Sequence, residues 1–368
     1  MGNSGGSRLH STSLEIADVQ CGTSVVVMGR YLMGLRREDV LGHGHSSIVR
    51  RAVQLDTSVE VAIKIYRTHG EPGSREERSI LRMFRRQIDV LQELQRPWWR
   101  PPNTRFWHPT MAGKEPSELF LKLVDYSKDA SGCAGMDSKE RSLYVITELA
   151  DYSLQDMLRA RRRGELEISK DQVWSGAAAI ILVVAALHAK GLVHLDLKPS
   201  NLMVCGGRLK LIDVDGCVAA NTVLWKEDTS ISYTPVYCSP EWARFVLSES
   251  PVQVKVAPCM DVWSVGVTIW ELAVGHSVMS LQHDGLVAIH SRGAHRHLLK
   301  WLGGLESPPS MDSVAAVDPE LHVFLRDWLL VPDCSLRRTL AECLCRPVMP
   351  SSQSLQSARP SVTTQSSM

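Results

Sequence analysis

The alternation of apolar and polar residues predicts several short strands in the first part of the chain. Residues 31–40 and 48–55 have strand-like composition and flank a turn that contains two glycines. Residues 61–64, with the sequence VAIK, alternate in the manner of a strand until the lysine. Two further strands are predicted at residues 119–126 and 143–148.

The pattern elsewhere has the period of a helix. Apolar residues recur at steps of three and four between residues 75 and 95, which predicts a helix with one apolar face. Residues 173–187 carry no charge, but the run is shorter than the roughly eighteen residues that a membrane helix needs, and His188 follows at once. We therefore expect a buried core helix there and no transmembrane segment.

Composition limits the class of protein. The chain has 368 residues, of which 44% are hydrophobic and 22% charged, so it fits one large two-lobed domain or two moderate domains rather than a disordered or fibrous protein. A net charge of +1 gives no field that attracts nucleic acid, and no nucleic-acid partner is expected. Nine cysteines without CxxC spacing predict a reduced intracellular protein whose thiols pack as small hydrophobes.

Both ends of the chain are predicted to be flexible. Residues 1–30 form a leader that starts with a Gly- and Ser-rich stretch, and residues 348–368 form a Ser-, Gln- and Pro-rich tail. The start of the chain, with glycine at position 2, resembles an N-myristoylation signal on Gly2, but Gly6 stands where that signal has Ser or Thr. The expected location is the cytoplasm, with weak membrane attachment through a lipid on Gly2 as the alternative.

Two glycines and a lysine indicate a phosphate site. Gly42 and Gly44 let the backbone turn sharply and present N–H groups to phosphate oxygens, and Lys64 closes the next strand. This arrangement resembles the glycine-rich loop and the V-A-I-K strand of the protein kinase family, although Ser47 replaces the third glycine. The resemblance implies that Lys64 contacts the phosphates of a nucleotide.

The helix at 75–95 then corresponds to helix C of kinases, whose glutamate pairs with the strand lysine. The alignment puts Gln87 in the place of that glutamate, where it can accept a hydrogen bond from Lys64 without bringing a charge. Glu77 is the rival candidate. We favour Gln87 because Pro97 then falls close to the expected end of the helix.

Two other stretches are unusual. Residues 96–109 are rich in Trp, Arg and Pro and are longer than the turn expected after helix C. They predict a rigid brace behind the helix, with a docking surface as the alternative. The Arg-rich run at 159–163 is interpreted as a solvated helix face, with a patch for acidic substrates as the alternative.

The strongest motif is H-x-D-L-K-x-x-N at residues 194–201, followed by an apolar strand that ends in Asp213. Phosphoryl transfer requires a carboxylate facing the attacking hydroxyl, a cation near the γ-phosphate, and oxygen ligands for Mg²⁺. The resemblance to the kinase catalytic loop implies that Asp196 is the catalytic base and Lys198 contacts phosphate. It also implies that Asn201 and Asp213 bind the metal ion.

The motif departs from the family at several positions. Leu195 replaces the arginine of H-R-D, which normally binds a phosphate on the activation loop, so we expect no dependence on that switch. Val214 and Asp215 replace the Phe and Gly of D-F-G. A register that uses Asp215-Gly216 as the metal motif is the alternative, which the uninterrupted strand into Asp213 disfavours.

The rest of the chain continues the resemblance. Thr234 matches the threonine that hydrogen-bonds the catalytic Asp and Lys in Ser/Thr kinases, and Glu241 matches the glutamate of A-P-E. Asp261 matches the helix F aspartate that anchors the catalytic loop. Arg337 stands where the family pairs an arginine with Glu241, so a buried ion pair is predicted. Lys198 and Thr234 favour Ser or Thr as the acceptor and argue against a small-molecule kinase.

The resemblance implies an α+β bilobal fold, with a small antiparallel-sheet N-lobe (about 31–148) carrying one helix C and a larger, mostly helical C-lobe (about 149–347). The implied function is a protein serine/threonine kinase that uses ATP and Mg²⁺ on an unknown protein substrate. A pseudokinase that binds nucleotide but transfers phosphate poorly is the alternative, because Gln87, Leu195, Val214 and Asp215 all depart from the family. The implied ATP-binding residues are Leu41, Gly42, Gly44, Val49, Ala62, Lys64, Glu148, Ala150 and Met203.

Overall fold

The computed structural model describes residues 22–44, 47–67, 73–99, 103–226, 232–249, 253–276, 293–347 and the single residues 279, 282, 285 and 349. The chain forms two compact units. The first contains Met1–Arg85 and Val124–Leu149, and the second contains Arg86–Leu123 and Ala150–Met368. Residues 86–123 cluster with the second unit, whereas the predicted N-lobe includes them. Gly2 and almost all of the tail lie outside the described residues.

The first unit is built on one sheet. Its strands are β1 (Ser24–Val27), β2 (Tyr31–Gly34), β3 (Val40–His43), β4 (Ser47–Gln54), β5 (Glu60–Tyr66), β6 (Leu123–Tyr126) and β7 (Leu143–Glu148). The strand order is β1-β2-β4-β5-β7-β6, and β3 pairs with β4. Alternate residues of β5 (Val61, Ile63 and Ile65) are buried in one core cluster, because successive side chains of a strand point to opposite faces.

Two boundaries predicted from the sequence are wrong. β1 lies inside the predicted leader 1–30, because Val25 and Val27 are buried in the core of the sheet. The predicted strand 31–40 contains β2 and only the first residue of β3, separated by a 3-10 turn at Arg37–Asp39. Charged residues fill that turn and none of its residues is buried, so nothing there continues the alternation.

Helix α1 (Arg75–Gln95) confirms the predicted helix. The Ser74 hydroxyl accepts a hydrogen bond from the N–H of Glu77 at 3.1 Å, which satisfies one of the unpaired donors at the start of the helix. Ile80, Phe84 and further apolar residues at steps of three and four are buried along one face. The residues of α1 up to Arg85 cluster with the first unit and the later ones with the second.

The second unit is mostly helical. Its helices are α2 (Leu154–Arg162), α3 (Lys170–Ala189), α4 (Pro240–Leu247), α5 (Cys259–Val274), α6 (Ala294–Gly303), α7 (Asp312–Val317), α8 (Pro319–Phe324) and α9 (Leu340–Leu344). Short strands are β8 (Tyr152–Ser153), β9 (Leu192–Val193), β10 (Leu202–Cys205), β11 (Arg208–Leu211), β12 (Val218–Ala219), β13 (Val223–Trp225) and β14 (Gln253–Lys255).

Helices α3 and α5 form the centre of this unit. Both are apolar on almost every side, which is typical of helices that are buried all round. α3 is long and apolar enough to cross a membrane, but 78% of its most apolar stretch is buried inside the protein. Gly176 of α3 permits a close approach, because a Cβ there would lie 2.7 Å from the Leu272 side chain of α5. The predicted core helix is thus confirmed.

Within residues 96–109, which the sequence predicts to brace the helix, Trp98 packs against other residues of the second unit, and the bracing role stays a prediction. The Trp98 indole N–H donates to the carbonyl of Lys114 at 2.6 Å, and its ring lies 6.2 Å from that of Trp107 and 6.1 Å from that of Phe120. The ammonium of Lys190, at the end of α3, lies 5.1 Å from the Trp98 ring centre. The neighbouring Trp99 is 80% exposed.

Candidate active site

The first unit carries the glycine turn and the strand lysine in one row of its sheet. Gly42 lies opposite Val49 across β3 and β4, and Val49 lies opposite Lys64 across β4 and β5. Residues directly opposite each other point to the same face. Ala62, two residues before Lys64, shares that face, which is the one opposite the core of Val61 and Ile63.

The glycine turn is tight. The Gly44 N–H donates to the carbonyl of Ser47 at 2.9 Å, and a Cβ at position 44 would lie 2.7 Å from the Ser47 hydroxyl. Ser47 itself is buried, so the position that departs from the family pattern is occupied by a packed hydroxyl. Leu41, beside the turn, is 42% exposed.

The three other residues implied to contact ATP lie on separate elements. Glu148 ends β7 and pairs with Val61. Ala150 begins the long C-terminal part of the second unit. Met203 of β10 pairs with Ser153 of β8. Their roles in nucleotide binding stay predictions.

Helix α1 presents the two rival candidates differently. Glu77 lies in the first turn, where its carboxylate accepts a hydrogen bond from the Gly73 N–H and so caps the helix. Gln87 is buried in the part of the helix that belongs to the second unit. A partner for the Glu77 carboxylate is thus present at the helix start, which is consistent with the choice of Gln87. The pairing of Gln87 with Lys64 stays a prediction.

Asp261 of α5 holds the backbone of the loop at residues 194–201, here called the Asp196 loop. Its carboxylate accepts hydrogen bonds from the N–H of His194 at 2.7 Å and of Leu195 at 2.9 Å. His188 of α3 contacts the same carboxylate at 3.0 Å. Burial acts to raise the pKa of Asp261, but these hydrogen bonds and the nearby imidazoles outweigh it and hold the pKa below its ordinary value.

Leu195 is held in an unusual conformation. Its φ of 65° lies in the left-handed region, which costs a non-glycine residue roughly 1–2 kcal/mol. The hydrogen bond to Asp261 fixes this conformation, and the side chain is buried. Cys238, Trp242 and Met260 line the same small void as Leu195. Ser239 and Ser264 complete the lining, so a small void without a charged side chain lies where the family resemblance would place an arginine.

Three side chains of the second unit form a closed set of hydrogen bonds. Lys198 donates to the Asp196 carboxylate at 2.7 Å and to the Thr234 hydroxyl at 3.0 Å. Thr234 donates to the other oxygen of Asp196 at 2.7 Å. Asp196 is buried, and Lys198 and Thr234 are partly exposed. The Asp196 loop and the segment before Glu241 are thereby joined at one carboxylate.

A hairpin brings the backbone at Asn201 and the backbone next to Asp213 to the same end. Leu202 of β10 pairs with Leu211 of β11, so the residues that flank this pair lie at the open end of the hairpin. The Ile212 N–H donates to the carbonyl of Asn201 at 3.0 Å. The spacing of twelve residues between Asn201 and Asp213 is thus the length of a short hairpin with its turn.

The donor set at this open end suits a hard divalent cation. The Asn201 amide N–H₂ donates to the carbonyl of Asp196 at 2.9 Å, which turns the amide so that its oxygen remains as an acceptor. Asp213 is exposed and adopts the left-handed conformation, with φ of 57°. An amide oxygen and a carboxylate are ligands that Mg²⁺ prefers, together with substrate phosphates and water. The residues therefore fit the ion that the resemblance implies.

The residues after Asp213 distinguish the two registers of the metal motif. Val214 is completely buried, as expected of an apolar plug, and Asp215 is half-buried. The strand β11 ends just before Asp213. This geometry favours Asp213 over Asp215 as the residue at the strand end.

The predicted ion pair between Glu241 and Arg337 is present. The guanidinium donates to both carboxylate oxygens, at 2.6 and 2.8 Å. It also donates to the backbone carbonyl of Cys259 at 2.8 Å and to that of Val331 at 2.6 Å. This pair joins the start of α4 to the start of α5 and to the chain segment before α9.

The sequence interpretation missed a second buried polar network. The Tyr237 hydroxyl donates to the Glu271 carboxylate of α5 at 2.7 Å, and Arg162 pairs with the other oxygen of Glu271 at 3.0 Å. Burial and the adjacent Glu271 charge raise the pKa of Tyr237. A single glutamate inside the apolar helix α5 was the available signal, because a buried carboxylate requires a partner.

The predicted solvated face at 159–163 is incomplete, because Arg161 is partly buried and Arg162, with its side chain 40% exposed, also makes contacts within the second unit. Arg161 donates to the carbonyls of Leu272 and, at 2.8 Å, Ala273, and Arg162 donates to that of Gly275 at 3.2 Å. These carbonyls belong to the C-terminal end of α5, which leaves unpaired acceptors and favours positive charge. The run caps a neighbouring helix, which no local pattern indicates.

Curated relatives resemble this chain over part of their length. Serine/threonine-protein kinase 36 of Pongo abelii is 32% identical over 139 residues, which are 37% of this chain and 9% of that protein. Serine/threonine-protein kinase PAK mbt of Drosophila melanogaster is 28% identical over 209 residues, which are 56% of this chain and 28% of that protein. Serine/threonine-protein kinase PAK 4 of Homo sapiens is 26% identical over 218 residues, which are 56% of this chain and 31% of that protein.

The chain thus spans less than a third of the length of these relatives. The model of the protein kinase domain matches residues 120–349, which include the Asp196 loop, Asp213, Thr234, Glu241 and Asp261 and leave out the glycine turn and Lys64. That match covers more than half of the chain. This chain therefore belongs to the eukaryotic-type protein kinase family.

Proposed function

We propose that this protein is an active serine/threonine kinase that transfers the γ-phosphate of ATP to Ser or Thr hydroxyls of protein substrates. The observation that carries the proposal is the set of hydrogen bonds among Asp196, Lys198 and Thr234, at 2.7, 3.0 and 2.7 Å. Positioning and electrostatic stabilisation supply most of the catalysis in phosphoryl transfer. A carboxylate and an ammonium held together by a hydroxyl supply both.

Each residue of this set has a task in the proposed reaction. The Asp196 carboxylate orients the attacking hydroxyl of the substrate and accepts its proton. Lys198 places a positive charge beside that carboxylate, where negative charge develops on the transferred group. Thr234 fixes the relative position of the two. Mg²⁺, when bound, would neutralise charge on the phosphates, with Asn201 and Asp213 as its ligands.

The departures from the family pattern support a second candidate, a pseudokinase. A buried leucine, Leu195, replaces the arginine of the catalytic loop, and the neutral Gln87 replaces the glutamate of helix C. These positions organise the active state and do not touch the reacting atoms. Losing an organising residue lowers the rate less than losing Asp196 or Asp213 does, so we rank the active enzyme first.

One experiment separates the two candidates. The purified chain and Asp196→Ala are incubated with Mg²⁺ and γ-labelled ATP, with a mixture of generic protein acceptors, and label in phosphoserine and phosphothreonine is counted. We expect the variant to lose about 10²–10⁴-fold of the rate. Equal label from both proteins would refute the enzyme. Stabilisation of both proteins by Mg²⁺-ATP without transfer would establish the nucleotide-binding pseudokinase instead.

A further inference from the structure

Two cysteines lie side by side in the second unit, outside the site described above. Cys259 begins α5, and Cys334 lies in the connection that leads to Arg337. The sulfur atoms of Cys259 and Cys334 and a carboxylate oxygen of Glu241 all lie within 4.8 Å of one another. Both thiols are free, and both residues are partly exposed.

The two thiols are not equivalent. The neighbouring Cys259 thiol lowers the pKa of Cys334 to about 7, and the Arg337 guanidinium acts in the same direction. The contact with Cys334, together with burial, raises the pKa of Cys259. A thiolate is the reactive form of cysteine, so Cys334 is the nucleophile of the pair and Cys259 is the neighbouring thiol that can resolve an oxidised product.

A metal ion is the other ligand that two cysteines and a glutamate can hold. Here both oxygens of Glu241 already accept hydrogen bonds from Arg337, at 2.6 and 2.8 Å. A metal ion would have to displace a buried guanidinium and would then lie beside its positive charge. The geometry therefore leaves two thiols without a third ligand, which favours oxidation over metal binding.

We propose that Cys259 and Cys334 form a reversible disulfide when a hydroperoxide oxidises Cys334. The Cys334 thiolate attacks one oxygen of hydrogen peroxide, the O–O bond breaks, hydroxide leaves, and Cys334 becomes a sulfenic acid. The Cys259 sulfur then attacks the Cys334 sulfur, the S–O bond breaks, and water leaves with the thiol proton. Two thiols are oxidised to one disulfide, and one peroxide is reduced to two waters after the hydroxide takes up a proton.

The position of the pair gives this bond a structural consequence. A disulfide would connect the start of α5 to the segment that supplies Arg337, three residues beyond Cys334. Arg337 in turn holds Glu241 and the carbonyl of Cys259. The oxidised protein would therefore carry a covalent link beside the ion pair that joins α4 to α5.

The test uses the full chain, reduced and then exposed to a small excess of hydrogen peroxide at neutral pH. Proteolysis without reductant and mass spectrometry should find the peptide pair that joins Cys259 to Cys334. Thiol titration should show two more thiols lost in the wild type than in Cys334→Ser. Cys345→Ser is the matched control, because Cys345 is an exposed thiol outside the pair, and it should form the cross-link as the wild type does.

Two further measurements complete the design. In Cys259→Ser, Cys334 should accumulate as a sulfenic acid that a dimedone probe labels, and the oxidised wild type should melt about 5 °C or more above the reduced protein. The inference is overturned if the wild-type digest contains no such peptide pair while Cys345 is oxidised. Equimolar Zn²⁺ binding by the reduced chain that Cys334→Ser abolishes would overturn it as well.

Discussion

Replacing Arg337 with alanine tests how the second unit is held together around Glu241. The Arg337 side chain is 0% exposed and that of Glu241 is 14% exposed. The guanidinium donates to two carboxylate oxygens and to the carbonyls of Cys259, Val331 and Pro332. It also lies 5.2 Å from the Trp263 ring centre. The Arg337→Ala substitution removes all these interactions and leaves the largely buried Glu241 carboxylate without a counter-charge.

The expected loss of stability follows from leaving the Glu241 carboxylate unpaired. Breaking a buried pair by removing one partner destabilises a protein by about 3–5 kcal/mol. For a unit of this size, each kcal/mol lowers the melting temperature by about 2–4 °C. We therefore expect Arg337→Ala to melt on the order of 10 °C below the wild type. Arg337→Lys should recover only part of this, because an ammonium cannot span both oxygens of Glu241.

The assay is thermal or urea unfolding followed by circular dichroism, with Arg326→Ala as the control. Arg326 pairs with Asp327 at 2.6 Å, but both side chains are almost half exposed, and exposed pairs contribute about 0–1 kcal/mol. The double variant Glu241→Ala/Arg337→Ala should be less destabilised than the sum of the two single variants. A melting temperature of Arg337→Ala equal to that of the control would refute the reasoning.

Three other perturbations test the site and its support. Asp261→Asn should be less stable than the wild type near neutral pH, and this difference should disappear as the pH falls below about 4. A carboxylate whose pKa is lowered by folding stabilises the folded state above its unfolded pKa and loses that effect when it is protonated. Unfolding free energies measured at several pH values test this, and a constant difference between the two proteins would contradict it. Thr234→Val should lower kcat by about 10-fold or more, whereas Thr234→Ser should retain most of the rate, because the hydroxyl bonds to charged groups; steady-state kinetics decides. Trp98→Ala should lower the free energy of unfolding by about 3 kcal/mol, and Trp99→Ala, at an exposed position, by less than about 0.5 kcal/mol. Urea unfolding measures both values, and equal losses would contradict the brace.

Much of the site could be predicted because its residues are close in sequence or at fixed spacing. Asp196, Lys198 and Asn201 share one short loop, and the hairpin that follows brings Asp213 to its open end. The alternation in residues 61–64 predicted a strand there, which is part of β5. Such local patterns reflect the geometry of a single strand or hairpin, so no knowledge of distant packing is required.

Other features depended on contacts that no local pattern encodes. β1 was assigned to the leader because four residues between glycine-containing stretches give a weak signal, and only the sheet shows that Val25 and Val27 are core residues. Arg161 and Arg162 have the composition of a solvated surface, yet they cap α5. Residues 86–123, which are the second half of α1 and the chain that follows it, come after the first five strands of the sheet in sequence but cluster with the helical unit.

The sequence by itself determined the family, the identity of the groups in the Asp196 loop and, through the family resemblance, the pairing of Glu241 with Arg337. The tertiary structure alone decided other contacts between distant residues, as with Glu271 and Arg162, or Cys259 and Cys334. The physical reason is that amphipathic periodicity fixes which face of an element is buried, whereas the partner of a buried polar group depends on how separate elements pack. That partner is therefore found only when the helices have been placed against one another.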